Sequence, residues 1–95
     1  MLRGLVATVR AGRLGFQARE AARRAFQKAY PAEKVKGTRL RAAEKGRIVV
    51  AVVIDPAYVY RGVPPQRLFA VSRDLSSCDE LPRSEWPAYG LRGSR

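Results

Sequence analysis

The basic residues are the part of this sequence whose type and spacing most clearly suggest a binding chemistry. Segment 16–30 carries cations at helical spacing, and further arginines precede it. Guanidinium and ammonium groups contact phosphates, and each neutralised phosphate adds a salt-sensitive increment through counterion release. The predicted surface for an anionic partner or nucleic acid consists of Arg10, Arg13, Arg19, Arg23, Arg24, Lys28, Arg39 and Arg41. The last two belong to it only if their strand face adjoins the helix.

The charge is unevenly distributed along the chain. Residues 1–47 hold 13 Lys+Arg against 3 acids, whereas residues 48–95 hold 6 against 5, within a net charge of +11. Such asymmetry indicates nucleic acid, an anionic membrane or an acidic protein as partner. Two explanations of the positive charge that involve no ligand stay open. One is an Arg- and Ala-rich composition of the kind that GC-rich coding produces, and the other is an ordinary solvated helix face. The stripe shows no interleaved aromatics for base stacking and no helix-turn-helix or ribonucleoprotein signature.

The loop 57–66 is the second candidate for binding. Tyr58, Tyr60 and Arg61 are of the residue types enriched at binding hot spots, and loops carry function disproportionately. The first hypothesis for function is a non-catalytic protein-interaction module, accessory or regulatory in role, in which this loop and Trp86 contact a protein partner. Nucleic-acid binding through the basic helix is the alternative. For the loop itself, the alternative is that both tyrosines fold back onto the edge of the sheet.

The side chains that usually perform catalysis are few. The chain has no histidine, which removes the commonest base near neutral pH and any imidazole metal site. Cys78 is the one cysteine, and acidic neighbours oppose formation of its thiolate. Asp74, Asp79 and Glu80 cluster loosely, but in a Ser-rich turn where Asp normally caps backbone groups. We therefore expect no enzymatic activity, no cofactor and no metal.

Four elements would position these groups. Segment 16–30 predicts an amphipathic helix that ends before Pro31, with Glu20 and Arg24 as a favourable i,i+4 pair. Its small apolar face consists of Ala18, Ala22, Ala25 and Ala29, with Phe26 and Tyr30 beside them. Strands are predicted at 35–43, 47–54 and 67–73.

The three strands and the helix predict an α+β fold, an N-terminal helix packed on a three-stranded antiparallel meander (α-β-β-β). Segment 47–54 is apolar on both faces and predicts the central strand, covered by the helix on one side and by another element on the other. Thr38, Leu40 and Ala42 are expected to share one face of the first strand. Gly46 is expected at positive φ in the hairpin loop.

The chain divides into three parts. Residues 1–15 form a basic arm or helix extension, with Gly12 and Gly15 marking a break, and a transit peptide is the alternative. Residues 16–81 form the single α+β domain, and residues 82–95 an irregular tail that either packs over the open sheet face or stays mobile. No apolar run is long enough to span a membrane, and a single cysteine is compatible with a cytoplasmic location. An edge strand at 35–43 offers a site for pairing between protomers.

The run from residue 18 to residue 81 resembles small helix-plus-meander domains of the PepSY and cystatin-like type. The matching positions are Tyr30-Pro31, Gly46, Val49 to Ile54 and Phe69 to Asp74, while Ser76 and Ser77 stand where a glycine is usual. The resemblance implies the same order of helix and strands. It implies no particular activity, because such folds host many functions.

Overall fold

The computed structural model describes residues 12–56, 62 and 65–91. Its elements are α1 (Arg13–Ala29), β1 (Lys34–Ala43), β2 (Arg47–Asp55), β3 (Gln66–Ser72), β4 (Cys78–Glu80) and a 3-10 helix (Arg83–Tyr89). The strands form one antiparallel sheet in the order β1-β2-β3-β4, with α1 packed on one face. The predicted α+β class and meander are confirmed. None of the helices among the described residues has the length and apolar character needed to cross a membrane.

The predicted count of three strands was wrong, because β4 adds a fourth. It pairs with β3 through Phe69↔Glu80, Ala70↔Asp79 and Val71↔Cys78. Three residues are too few to show a period-2 alternation, so the segment resembled the end of a turn.

Helix α1 forms because its small residues recur on one side and allow close approach to the sheet. Ala18, Ala22 and Phe26 are completely buried. The helix ends where the Tyr30 amide donates to the Phe26 carbonyl at 2.8 Å, directly before a proline. The predicted break at Gly15 does not occur, since this glycine lies buried within the helix and Gly12 is the residue that precedes it.

Strand β2 is the centre of the sheet, as its apolar run predicted. Ile48, Val50 and Val52 pack with the helix, whereas Val49 and Ala51 pack on the opposite face with Leu68, Leu81 and Trp86. Because successive side chains of a strand point to opposite faces, a strand apolar at every position needs cover on both sides. The structure provides that cover.

Strand β1 lies at the edge of the sheet and is bulged twice, between Val35 and Gly37 and between Leu40 and Ala42. A bulge inserts one unpaired residue and shifts the alternation. Leu40 therefore packs with the helix while Ala42 packs on the other face, and the expectation that they share a face was wrong.

The C-terminal segment covers the face of the sheet that the helix leaves open. Trp86 is only 5% exposed, and its indole N–H donates to the Leu81 carbonyl at 3.0 Å. Gly90 ends the 3-10 helix at φ +84°, where a Cβ would lie 2.8 Å from the Arg41 guanidinium. Residues 83–89 therefore form a 3-10 helix that covers the sheet, and the expectation of an irregular tail was wrong for them. Pro82 and Pro87 made this helix difficult to recognise in the sequence.

The β1–β2 hairpin closes without the backbone conformation predicted for Gly46. The Glu44 amide donates to the Arg47 carbonyl at 2.8 Å across the loop. Positive φ occurs among the described glycines at Gly62 and Gly90, so the expectation for Gly46 was wrong.

Candidate functional site

The side of α1 that faces solvent gathers most of the predicted cation-binding residues. We call it the outer face of α1, and its exposed members are Arg13, Phe16, Gln17, Arg23, Arg24, Gln27 and Lys28. Arg19 and Glu20 are half-buried, and Glu20 lies within this face, one turn after Phe16 and one turn before Arg24. Since the apolar side of the helix is held by the core, these side chains are presented on a rigid element of 17 residues.

The cations of α1 have no carboxylate partner within the described part of the chain. The three ion pairs found there join Arg47 to Glu44, Arg47 to Glu85 and Arg67 to Glu80. The predicted pair between Glu20 and Arg24 is not among them. Among the described residues, no ion pair neutralises the exposed positive charge of the outer face.

The spacing of these cations works against the helix that carries them. Arg19 and Arg23 lie four residues apart, as do Arg24 and Lys28, and like charges at i,i+4 repel. Arg13 is the first helical residue, where the helix dipole disfavours a cation, and the first turn holds no acid to offset it. Glu20 offsets part of the repulsion, since its spacing to Arg23 and Arg24 is favourable, so the cations of α1 neither strongly stabilise nor strongly destabilise the helix.

Arg39 and Arg41 do not extend the outer face of α1. Arg39 lies opposite Ala51 in the register, and Ala51 packs on the face of the sheet away from the helix. Cross-strand neighbours share a face, so Arg39 belongs to that side as well. Arg41 donates from Nη2 to the Tyr89 carbonyl at 2.6 Å, which ties it to the C-terminal segment.

A hydrogen-bonded network fastens this segment to the β1–β2 hairpin. We call it the C-terminal network, and its members are Arg41, Glu44, Arg47, Glu85 and Tyr89. Arg47 donates to Glu44 at 2.9 Å and to the Tyr89 hydroxyl at 2.9 Å, and that hydroxyl donates to Glu44 at 2.7 Å. The hydrogen bond from Arg47 lowers the pKa of Glu44, while burial and then the bond to Glu44 raise the pKa of Tyr89.

A second cluster fixes the C-terminal end of α1 on the sheet. The Tyr30 hydroxyl donates to Glu80 at 2.7 Å, and Arg67 pairs with the other oxygen of Glu80 at 2.9 Å. The Arg67 guanidinium also lies 4.5 Å from the centre of the Tyr30 ring. The hydrogen bond to Glu80 raises the pKa of Tyr30. These contacts set the orientation in which the outer face meets solvent.

Asp74, Glu80 and Cys78 are engaged in structural contacts. Asp74 Oδ1 accepts hydrogen bonds from Ser72 and from the hydroxyl and amide of Ser76, and these bonds, led by the Ser76 hydroxyl, lower its pKa to about 2. Burial, helped by the charge of Asp79, raises the pKa of the Cys78 thiol to about 11. In residues 12–56, 62 and 65–91 no group of His, Cys, Asp and Glu has the geometry of a metal site.

The predicted protein-interaction loop is only partly covered by the structure. Tyr58, Tyr60 and Arg61 lie outside the described residues, as does Arg10 of the predicted cationic surface. Trp86 belongs to the second core, which leaves almost none of its surface for a partner.

Sequence reasoning missed Phe16. It is 58% exposed, the most exposed large apolar side chain among the described residues. The signal was present in the helical wheel, because Phe16 lies three residues before Arg19 and seven before Arg23, on the charged side rather than with Ala18 and Ala22.

Comparison of the chain with protein-family models, with curated proteins and with solved structures finds no match. The resemblance to PepSY and cystatin-like domains therefore stays a prediction. Inferences about function rest on the outer face of α1, the C-terminal network and the loop after β2.

Proposed function

We propose that this protein is a non-catalytic accessory module that binds nucleic acid through the outer face of α1. One observation carries the proposal: the five basic side chains of the helix have no ion-pair partner in the described part of the chain, and they outnumber its single acid, Glu20. Nucleic acid is the partner that gains most from such a surface, because each phosphate that a cation neutralises releases counterions and so strengthens binding.

The chemistry of arginine suits the same partner, although arginine also outnumbers lysine in the chain as a whole by 15 to 4. Arg13, Arg19, Arg23 and Arg24 outnumber the single Lys28. A guanidinium presents a planar fork of donors that matches phosphate geometry and is more weakly hydrated than an ammonium group. Rigid presentation on a packed helix lowers the ordering cost of binding.

The absence of a catalytic role is part of the proposal. The Cys78 thiol has a pKa of about 11 and is protonated at neutral pH, so it is a poor nucleophile. Glu44, Glu80 and Asp74 each accept structural hydrogen bonds, which leaves them badly suited to proton transfer. These contacts favour a binding role.

A protein partner at loop 57–66 is the second candidate. The ends of the loop favour it, since Val53 pairs with Gln66 and the Ile54 amide donates to the Pro65 carbonyl at 2.8 Å. A loop that leaves two packed strands is presented from a firm base, and its Tyr and Arg content suits a protein interface. Trp86 is no longer part of this hypothesis, because it lies in the core.

Fluorescence anisotropy with a labelled oligonucleotide, titrated over a series of salt concentrations, tests the main proposal. We expect log K to fall linearly with log salt, and the double variant R23Q/R24Q to lower the slope by about 1.4–1.8, or 0.7–0.9 per lost phosphate contact. The matched control is K36Q/K45Q, which removes two exposed lysines of β1 and the hairpin loop and the same net charge. Equal losses for both variants, or no binding at low salt, would refute the proposal.

A further inference from the structure

Phe16 occupies an unusual position for an apolar side chain of a basic helix. It is 58% exposed, and it stands on the outer face of α1 rather than with the buried side formed by Ala18, Ala22 and Phe26. A single exposed apolar residue is common on protein surfaces. The charged residues around Phe16 distinguish it from such isolated cases.

Cations lie on both sides of Phe16. Arg13 precedes it by three residues and Arg19 follows it by three, so each is a neighbour on the helix surface, and Arg23 lies two turns on. Glu20, one turn on, is the only acid nearby on the helix. An aromatic ring between guanidinium groups that form no ion pair with any described residue combines a stacking surface with phosphate ligands.

Single-stranded nucleic acid is the ligand with the complementary chemistry. Binding without base-edge readout uses a positively charged track for the backbone and aromatic side chains on which exposed bases stack. In a duplex the bases are already stacked on one another, so the ring of Phe16 would find no free base face. A surface that combines Phe16 with these cations should therefore bind single strands more tightly than duplexes.

Two other anionic partners fit less well. A membrane-surface helix buries its apolar face among lipid tails, but that face of α1 is already held by the sheet, which leaves Phe16 alone to insert. An acidic protein segment would be expected to fill a desolvated pocket with an anchor residue, and the outer face of a packed helix is convex.

The geometry points to Phe16 as a stacking platform for a base of single-stranded nucleic acid, with Arg13, Arg19 and Arg23 contacting the flanking phosphates. This inference rests on the proposed function and deepens it. Glu20 opposes the passing phosphate chain and limits the affinity.

The test measures anisotropy with a labelled 12-nucleotide single strand and with a duplex of the same length, at low salt, on the full chain. We expect F16L to weaken single-strand binding about tenfold, since stacking on an aromatic ring contributes substantially per base. F16Y should retain binding within about twofold, because it keeps the ring, and E20Q should strengthen it. Duplex binding should be the same for wild type and F16L.

The outcomes separate this inference from the proposed function. If the wild type binds neither oligonucleotide, both are overturned. If the wild type binds and R23Q/R24Q weakens it, but F16L binds the single strand as tightly as wild type, the stacking role alone is overturned. Thermal denaturation of F16L checks the fold, and L75A serves as the control for loss of another exposed apolar side chain.

Discussion

The basic side chains of α1 differ in what they contact from three arginines of the sheet, Arg41, Arg47 and Arg67. On the sheet, Arg41, Arg47 and Arg67 each donate to a carboxylate or a carbonyl of another segment. On the helix, Arg23 and Arg24 reach solvent without an ion-pair partner among the described residues. Arginines of the sheet thus stabilise the fold, whereas arginines of α1 are available to a ligand.

This difference predicts a separation of effects. Substitutions in the C-terminal network should lower the free energy of unfolding and leave nucleic-acid affinity at moderate salt nearly unchanged. Substitutions on the outer face of α1 should do the opposite. The following predictions order these effects from the largest change in stability to the smallest.

The largest effect is expected for W86A. The side chain is 5% exposed and anchors the segment that carries Tyr89, so its loss should lower the free energy of unfolding by about 3–5 kcal/mol. Chemical denaturation measures this change. The control is F16A, an aromatic truncation at an exposed position, which should stay within about 0.5 kcal/mol of wild type. Similar losses for the two variants would show that the C-terminal segment contributes little to the fold.

The next effect concerns Arg47, the centre of the C-terminal network. R47Q should destabilise the protein by about 1–2 kcal/mol, less than a fully buried charge pair would cost because the guanidinium is partly exposed. The charge-matched comparison is R24Q on the helix. A denaturation midpoint for R47Q equal to that of R24Q would contradict the assignment of Arg47 to a structural role.

The pH dependence of stability tests the role of Glu44 in the same network. Hydrogen bonds from Arg47 and Tyr89 lower its pKa below the ordinary value of 4.5, so the folded state binds this proton less readily than the unfolded chain. Its contribution to stability is then fully present above pH 4.5 and is lost as the pH falls through the lowered value. E44Q should be less stable than wild type at pH 7 and lose less stability between pH 5 and about pH 3. If the melting temperatures of E44Q and wild type changed with pH in parallel, the stabilising role of Glu44 in the C-terminal network would be contradicted.

A smaller effect on stability is expected for substitutions on the helix. R23Q relieves an i,i+4 repulsion with Arg19 and removes an i,i+3 attraction to Glu20, so the free energy of unfolding should stay within about 0.5 kcal/mol of wild type. The same variant should weaken oligonucleotide binding. If R23Q were destabilising by more than 1 kcal/mol, on the order of a core defect, Arg23 would be a structural residue.

No change in stability is expected for Y58A/Y60A if the loop contacts a protein. Capture of a partner in a pull-down from the native host should then be lost while the melting temperature holds. Unchanged capture would remove the loop as an interface, and a large fall in melting temperature would indicate that the tyrosines pack on the sheet.

The main architecture could be predicted because its signals are local and redundant. Segment 47–54 is apolar at every position, which is typical of a strand covered on both faces, and the helix combines favourable propensity with a continuous small face. The covering element itself could not be identified. Pro82 and Pro87 flank and interrupt the segment that carries Trp86, so it resembled an irregular tail, and the tryptophan resembled an interface residue.

The details of the site could be predicted only where they follow from helical spacing. The cations of α1 share an outer face, as the sequence indicated. The predicted extension by Arg39 and Arg41 depended on how two elements are oriented in space, and a bulge at Arg41 changes the alternation in a way that no residue type signals. Helical spacing already places Phe16 on the charged side of α1, and the packing of the helix on the sheet leaves it 58% exposed.

Mapping the bound surface by NMR tests the central claim most directly. In ¹H–¹⁵N spectra of the labelled protein titrated with a short single-stranded oligonucleotide at low salt, shift changes should concentrate at Phe16, Gln17, Arg23, Arg24 and Lys28. Signals of residues 83–89 should remain in place. Changes centred on residues 83–89 or on β1, with the helix signals unmoved, would contradict the division of basic residues between a binding face and a structural network.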